Sequence, residues 1–364
     1  MRARGFAQLL VGVVLLVALA TAVVAAVRQH GFQSLGFVQR SGNGVSGDGR
    51  VVVGYTVDVS TGQAQAFRWT AATGMIGLGF LQGVSDSYAY GANADGTVVV
   101  GYGVDAATGE PQALRWTAAT GMVGLGFLRG ANDSYAYGVN ADGTVVVGYG
   151  IDAFTGNPQA IRWTSATGMI GLGLLPGASD SYAYGVNADG TAVVGYGVDA
   201  SSGQAQAFRW TAATGMVGLG FLPGGRNSAA YGVSADGTTV VGSCSDAGST
   251  QACRWTAATG MVGLGFLPGG SYSIALGVSA DGSVVVGYSI DATTGQHQAF
   301  RWTAATGMVG LGFLLGGNDS LAYGVSADGS VVVGQCKAQA CFINLNTTSL
   351  QAVPAANIAA GQIR

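Results

Sequence analysis

An arginine stands immediately before a tryptophan at six regularly spaced places. The pairs are Arg68-Trp69, Arg115-Trp116, Arg162-Trp163, Arg209-Trp210, Arg254-Trp255 and Arg301-Trp302. Guanidinium groups held at one level of a repeat could bind an anionic ligand through charge-assisted hydrogen bonds. A partly buried arginine, however, needs a carboxylate or carbonyl partner inside the fold. We therefore expect these arginines to be structural and to pair with an aspartate that recurs in every repeat.

That aspartate precedes a glycine. The positions are Asp95, Asp142, Asp189, Asp236, Asp281 and Asp328. Aspartate favours turns because its side chain bonds the backbone two residues on, and Asp-Gly between apolar runs indicates a β-hairpin. The loops lack the Asp-x-Asp-x-Asp-Gly run of calcium loops. They resemble the Asp-box of sialidases, but the spacing to the glycine is one residue too short. We expect turn residues and no metal site.

Residues suited to catalysis are scarce. Glu110 is the sole glutamate, and the two histidines are His30 and His297. Glycoside hydrolysis needs two placed carboxylates, and His297 alone cannot complete a Ser-His-Asp or Cys-His set. The sequence favours a protein with no catalytic residues, metal or cofactor.

The four cysteines predict two local disulfides, Cys244–Cys253 and Cys336–Cys341. Equivalent positions in other repeats lie 11 residues apart, whereas the cysteines lie 9 and 5 apart. Trimming a hairpin loop by an even number preserves which residues face each other. A zinc site is disfavoured because neither the spacing nor the number of histidines suits one. Disulfides are typical of exported proteins.

The elements that hold these residues follow a period of about 47 residues. The tryptophans are separated by 47, 47, 47, 45 and 47 residues. Each unit contains four short segments rich in Val, Tyr, Phe and Trp, separated by turn residues, as in 74–81, 87–94, 96–102 and 112–116. No segment of helical length shows a 3.6-residue apolar period. Each unit is predicted to be a four-stranded antiparallel meander.

The units predict an all-β protein: a β-propeller of about seven blades. Valine triplets, as at 51–53 and 98–100, indicate strands buried on both faces. Degenerate first strands at 31–37 and 348–353 could pair and close the ring, which would remove exposed sheet edges. A β-solenoid or a linear β-repeat array is the alternative.

The amino terminus predicts export. Arg2 and Arg4 precede an apolar run from Phe6 to Val27, which is typical of a secretory signal peptide but also long enough for a membrane anchor. The expected organisation is a signal or anchor at 1–26, a repeat domain at 31–353 and a tail at 354–364. The protein would then be secreted, periplasmic or on the cell surface, touching a membrane only through that segment. A net charge of −3 with one lysine argues against a nucleic-acid partner.

The segment 295–314, GQHQAFRWTAATGMVGLGFL, resembles the HAF family of bacterial extracellular repeats. That family joins a His-Ala-Phe-x-Trp-like strand to a Gly-Met-x-x-Leu-Gly strand, and the likeness covers about 31–345. Glutamine replaces the first motif letter, as in Gln65-Ala66-Phe67-Arg68-Trp69. The resemblance implies a secreted or surface-exposed bacterial protein and supplies no catalytic residues.

One face of the meander is predicted to carry the variable loops. The loops between first and second strands and between third and fourth strands vary, and alternation places both on the same face. Binding residues are expected there. The candidates are Asp86, Arg129, Asp133, Asp180, Arg226, Tyr272 and Asp319, together with Tyr88, Tyr135 and Tyr182, which either stack on a ligand or fill the core between blades.

The sequence therefore favours an exported binding or structural module that contacts a glycan or a protein at the cell surface. A secreted polysaccharide-active hydrolase or lyase is the alternative from a different class. A repeat scaffold without a ligand is the third interpretation.

Overall fold

The computed structural model describes residues 32–35, 40–246, 248–337 and 339–345. All regular structure in these ranges is β-strand, and none of the described residues forms a helix that could cross a membrane. The predicted signal or anchor at 1–26, the strand at 348–353 and the tail at 354–364 lie outside the described residues.

Twenty-eight strands are numbered in chain order. They are β1 (Gln33–Ser34), β2 (Arg40–Val45), β3 (Val51–Val57), β4 (Ala64–Thr70), β5 (Gly74–Gly77), β6 (Val84–Ala92), β7 (Val98–Asp105), β8 (Pro111–Thr117), β9 (Gly121–Gly124), β10 (Ser134–Val139), β11 (Val146–Ile151), β12 (Pro158–Thr164), β13 (Gly168–Gly171), β14 (Ala178–Val186), β15 (Ala192–Asp199), β16 (Ala205–Thr211), β17 (Gly215–Gly218), β18 (Asn227–Val233), β19 (Thr239–Ser245), β20 (Thr250–Thr256), β21 (Gly260–Gly265), β22 (Gly270–Val278), β23 (Val285–Asp291), β24 (His297–Thr303), β25 (Gly307–Gly310), β26 (Ser320–Val325), β27 (Val331–Cys336) and β28 (Gln339–Asn344).

The strands form seven four-stranded antiparallel blades, so the predicted propeller is confirmed. Blades one to six are β2–β5, β6–β9, β10–β13, β14–β17, β18–β21 and β22–β25, and blade seven is β26, β27, β28 and β1. The blades are offset by one strand from the repeat as read in the sequence. The Gly-Met strand that seemed to begin a unit is the outermost strand of the preceding blade.

Two sets of hydrogen bonds close the ring. At the outer edge, β1 pairs with β28 through Gln33–Phe342 and Ser34–Cys341, so the amino-terminal strand completes blade seven. Its partner is β28, whereas the sequence predicted pairing with 348–353, which lies outside the described residues. Near the centre, the first turn of every blade donates a backbone N–H to the same turn of the next blade. These bonds are Asp48 to Ala94, Ala94 to Ala141, Ala141 to Ala188, Ala188 to Ala235, Ala235 to Ala280, Ala280 to Ala327 and Ala327 to Gly47.

The core lies between blades, as the valine triplets predicted. Val99 and Val100 in β7 are both fully buried. Val99 packs towards blade one with Val53, whereas Val100 packs towards blade three with Val146. Burial of both strand faces gives each blade its stability through its neighbours.

Four of the six repeated arginines bridge blades, but their partner is a carbonyl, so the predicted Arg–Asp pairing is wrong. Arg68 Nε donates to the carbonyl of Gly96 in the next blade at 3.0 Å. Asp95, one residue earlier, instead accepts bonds from the N–H and hydroxyl of Thr97. The Asp95 carboxylate is therefore bonded within its own turn, and the Gly96 carbonyl remains as the acceptor for Arg68.

Both predicted disulfides are confirmed. Cys244 bonds Cys253, and Cys336 bonds Cys341, each pair with a Cα–Cα distance of 5.9 Å. In both hairpins the bonded cysteines are diagonal neighbours: Cys244 faces Gln251, and Cys336 faces Gln339. The even shortening of both loops preserved this relation.

Candidate functional site

The first strand of each blade lines a central channel. β2, β6, β10, β14, β18, β22 and β26 surround a space of about 210 Å³. The connections between second and third strands and those between blades emerge at one end of the channel, which we call the loop face. The Asp-Gly turns and the Thr-Ala/Ser-Ala-Thr turns emerge at the other end, the turn face.

The channel is narrow where glycines bring neighbouring first strands together. A Cβ on Gly91 would lie 2.8 Å from the carbonyl oxygen of Tyr137, and one on Gly44 would lie 2.5 Å from that of Tyr90. The backbones of neighbouring first strands therefore approach each other closely inside the channel. The mouths of the channel and the grooves between blades therefore offer more room for a ligand than these narrow points.

The two faces differ in charge. The loop face carries eleven carboxylates, at Asp58, Asp86, Asp105, Glu110, Asp133, Asp152, Asp180, Asp199, Asp246, Asp291 and Asp319. The lysine and arginine side chains described there are Arg129, Arg226 and Lys337. The turn face balances the seven turn aspartates with the six Arg-Trp arginines and Arg50. The loop face therefore repels polyanions.

Many of the loop-face carboxylates are occupied within their own turns. Asp105 accepts the backbone N–H groups of Ala107 and Thr108 and the Thr108 hydroxyl. These bonds lower the pKa of Asp105. In the same position, bonds led by the Ser60 hydroxyl lower the pKa of Asp58 to about 2. These aspartates shape the hairpin loops.

A second group of polar side chains links blades at the start of the first strand. Asp86 Oδ1 accepts the N–H of Ala64 in the preceding blade at 2.7 Å. Asn227 does the same with Ala205, at 3.0 Å. Asp319 accepts the N–H of His297 at 3.2 Å and contacts its ring Nδ1 at 2.9 Å.

Proline removes this link at two adjacent interfaces. Pro111 and Pro158 occupy the position of Ala64, and proline has no N–H to donate. In the described residues no donor reaches the side chain of Asp133 or Asp180, and Oδ1 of Asp133 is buried without a partner. Burial, with a smaller contribution from Glu110, raises the pKa of Asp133. Blades three and four thus present two carboxylates with free acceptor capacity.

The predicted tyrosines lie beside these carboxylates and also between blades. Tyr135 packs at 4.9 Å from Tyr102 of the preceding blade and at 4.5 Å from Tyr149. Tyr182 makes the matching contacts with Tyr149 and Tyr196, at 4.9 and 5.0 Å. Both side chains remain half-exposed. They join blades, which is one of the two roles considered from the sequence, and still present ring surface at the mouth.

Tyr88 begins the arc in blade two. Its ring lies 4.9 Å from Tyr55 of blade one. Burial, followed by Asp86, raises its pKa. The arc ends on both sides, because Ser41 occupies the position in blade one and Ala229 occupies it in blade five.

A deeper tier of tyrosines was missed from the sequence. Eleven rings form one connected network of contacts that runs from blade one to blade five. They are Tyr55, Tyr88, Tyr90, Tyr102, Tyr135, Tyr137, Tyr149, Tyr182, Tyr184, Tyr196 and Tyr231. The Tyr-Ala-Tyr spacing was the available signal, since residues two apart share one face of a strand.

The remaining candidates lie elsewhere on the loop face. Arg129 and Arg226 are exposed on loops between blades. Tyr272 pairs through its backbone with Thr250, a bridge between blades five and six, and Asp319 is held by His297 in blade seven. In the described ranges no three His, Cys, Asp or Glu side chains are grouped to hold a metal ion.

Comparison with known proteins shows the fold. No protein-family profile and no curated protein sequence matches the chain. Among solved structures, oligogalacturonate lyase from Vibrio parahaemolyticus is similar, with a TM-score of 0.60 and 13% identity, over 85% of this chain and 92% of that chain. The β-propeller domain of the Trilobed protease from Pyrococcus furiosus, whose description records an open velcro topology, has a TM-score of 0.52 and 13% identity over 74% of this chain and 80% of that one. The shared feature is the β-propeller.

TolB from Acinetobacter baumannii matches more loosely. The TM-score is 0.49 and the identity 15%, over 72% of this chain and 63% of the length of that TolB. At these identities the likeness concerns the fold, and function has to be argued from the residues of the site.

Proposed function

We propose that this protein is an exported binding module that holds a neutral saccharide at the loop face of blades two to four. Export is supported by the two disulfides, which form and persist in oxidising compartments. The binding role is supported by the asymmetry of the loop face. At the position of the tyrosine arc, blades two to four carry tyrosine, beside the two free carboxylates of blades three and four. Blades five to seven carry Ala229, Ile274 and Leu321 there, and Asp319 is already bonded to His297.

The observation that supports this proposal most directly is that two carboxylates, Asp133 and Asp180, face prolines and so receive no backbone N–H. Ionised carboxylates only accept hydrogen bonds, and each has about four acceptor sites. Oδ1 of Asp133 is buried, so sugar hydroxyls would donate to Oδ2 of Asp133 and to the carboxylate of Asp180. The half-exposed faces of Tyr135 and Tyr182 offer flat apolar surface for the C–H face of a sugar ring. A neighbouring tyrosine network fixes those rings, so little side-chain freedom is lost on binding.

The charge of the loop face selects among saccharides. Eleven carboxylates face three lysine and arginine side chains in the described residues, so acidic polysaccharides are repelled. Neutral sugars, and amino sugars with a free amine, are the expected ligands.

A glycan array tests the proposal, with a turnover assay on the same sugars. The wild-type protein should bind neutral glycans and ignore uronic-acid polymers. Asp133→Asn and Asp180→Asn should each weaken binding about tenfold, which corresponds to about 1.4 kcal/mol. Asp319→Asn, at the matched position in blade seven where His297 already engages the carboxylate, should leave glycan binding unchanged.

Two results would overturn the proposal. Glycan binding that survives in the Asp133→Asn, Asp180→Asn double variant would place the site elsewhere. Turnover of a bound polysaccharide, lost in those variants, would make the protein the hydrolase or lyase that the sequence left open.

A further inference from the structure

The groove between blades five and six on the turn face differs from its counterparts in how its arginines are bonded. Elsewhere the arginine of Arg-Trp reaches a glycine carbonyl 28 residues later in the next blade. The bonds are Arg68 to Gly96, Arg115 to Gly143, Arg162 to Gly190 and Arg209 to Gly237. Arg254 and Arg301 do not make this bond.

Thr239 diverts Arg254. Arg254 Nη2 donates to Thr239 Oγ1 in its own blade at 3.2 Å. The same position is Val98 in blade two and Ala192 in blade four, which offer no acceptor. Thr239 Oγ1 lies so near Gly282 that a Cβ there would be 2.6 Å away. The threonine hydroxyl thus takes the place of the glycine carbonyl.

Arg301 has no hydrogen-bond acceptor among the described residues. Its Nε is buried and unpartnered, as are those of Arg254 and Arg162, but Arg162 still reaches the Gly190 carbonyl through Nη2. Both arginines line a groove of about 500 Å³, together with Ser283 and Trp302. A partly buried guanidinium without an acceptor is unfavourable, because its lost hydration is not replaced.

Among the described residues, the one carboxylate that lines this groove, Asp281, is already engaged. Asp281 accepts the hydroxyls of Ser279 and Ser283 and the N–H of Ser283, and these bonds lower its pKa to about 2. Two cations and one anion leave the groove with one net positive charge. Trp302, with the methyl groups of Ala304 and Ala305, gives it an apolar wall.

We propose that this groove binds a small carboxylate that carries a flat or apolar body. The carboxylate accepts from the Arg254 and Arg301 guanidinium groups, and the body lies on Trp302. This site is on the opposite face from the saccharide site and does not depend on it.

The seam between blades seven and one provides an internal comparison. A similar groove of about 620 Å³ lies there, but Phe342 stands where Arg254 stands, and the seam arginine, Arg68, is bonded to Gly96. That groove also contains Arg50, but Asp48 and Asp95 balance its two arginines, so it carries no net positive charge and should select an anion less strongly.

The test uses the full protein at low ionic strength, with benzoate as probe and neutral benzamide as the matched control. Nuclear magnetic resonance follows the arginine Nε–H signals. Benzoate should shift those of Arg254 and Arg301 with saturation, leave that of Arg68 in place, and be at least about tenfold more effective than benzamide. A linear shift, equal shifts at all six arginines, or equal effects of benzamide would overturn the proposal.

Variants add a second readout. Arg301→Gln should weaken benzoate binding about tenfold, whereas Arg115→Gln, at an interface with a bonded arginine, should not. Thr239→Val keeps both arginines but lets Arg254 return to the Gly282 carbonyl, so benzoate should bind about fivefold more weakly. Unchanged affinity in Thr239→Val, which keeps the fold, would contradict the assignment even if Arg301→Gln fails to fold.

Discussion

Replacing Pro111 with alanine restores the backbone N–H that faces Asp133. The matching bond in blade two, from Ala64 to Asp86, is 2.7 Å long, so a similar bond should form. Asp133 has a raised pKa because it is partly buried and, to a smaller extent, because Glu110 is nearby. A donated N–H favours the ionised form, so the Pro111→Ala variant should show a lower pKa for Asp133.

The effect on stability follows from the sign of the shift. A raised pKa means that the contribution of Asp133 is fully present below its unfolded value and is lost as pH rises through the folded pKa. At neutral pH its charge therefore opposes folding, and the new bond should relieve this. A hydrogen bond to a charged group contributes about 1.5–3 kcal/mol, reduced to about 1 kcal/mol by solvent at this half-exposed site. Replacing proline lowers the free energy of unfolding by about 0.4–1 kcal/mol, because the unfolded chain gains conformational freedom.

The net change in unfolding free energy should stay within about 1 kcal/mol. The prediction is therefore tested by the pKa of the Asp133 carboxyl group. It is measured by a carbon-13 NMR titration of Asp133 in both proteins. The reverse change, Ala64→Pro, leaves Asp86 Oδ1 without its donor and should destabilise the fold by about 1–2 kcal/mol. An Asp133 pKa that stays the same or rises in Pro111→Ala would refute the argument that proline frees the carboxylate.

Three further predictions concern the blades. Gly148→Ala should destabilise the protein by at least about 3 kcal/mol in denaturant unfolding, because its Cβ would lie 1.9 Å from a backbone oxygen; Gly248→Ala, with open space around it, should change stability by less than about 1 kcal/mol. Replacing Cys244 and Cys253 by alanine should cost about 2–3 kcal/mol, and peptide mapping without reductant should show the two local links in the wild type. Burial raises the pKa of Tyr288 to about 12, so its contribution to stability should be full below pH 10 and fall as pH rises towards 12. Absorbance at 295 nm should show little tyrosinate before unfolding. Ionisation of Tyr288 near pH 10 in the folded protein would be inconsistent with this burial.

The architecture could be predicted from the sequence because it depends on periodicity. The 47-residue spacing predicted the blades, and the even loop deletions predicted both disulfides. Alternation of a meander was enough to put the variable loops on one face. The strand order from the channel outwards was not accessible, because all four segments of a unit are apolar and similar in length.

The details of the site depend on contacts between blades that the sequence does not display. Pro111 and Asp133 are 22 residues apart, and only the packing of neighbouring blades brings position 111 to that carboxylate. The arginine partner was misassigned for a similar reason. The turn offers a side-chain carboxylate at Asp95 and a main-chain carbonyl at Gly96, and the sequence cannot show which one already has its bonds satisfied.

The central claim is that saccharide binds where Asp133 and Asp180 are free beside the tyrosine arc. The most direct measurement is an NMR map of tyrosine ring signals during titration with the neutral oligosaccharide that gives the strongest array signal. Signals of Tyr135 and Tyr182 should shift with saturation, while those of Tyr288 and Tyr323, on the opposite side of the ring, should stay in place. Saturating binding that leaves Tyr135 and Tyr182 unmoved would contradict the account.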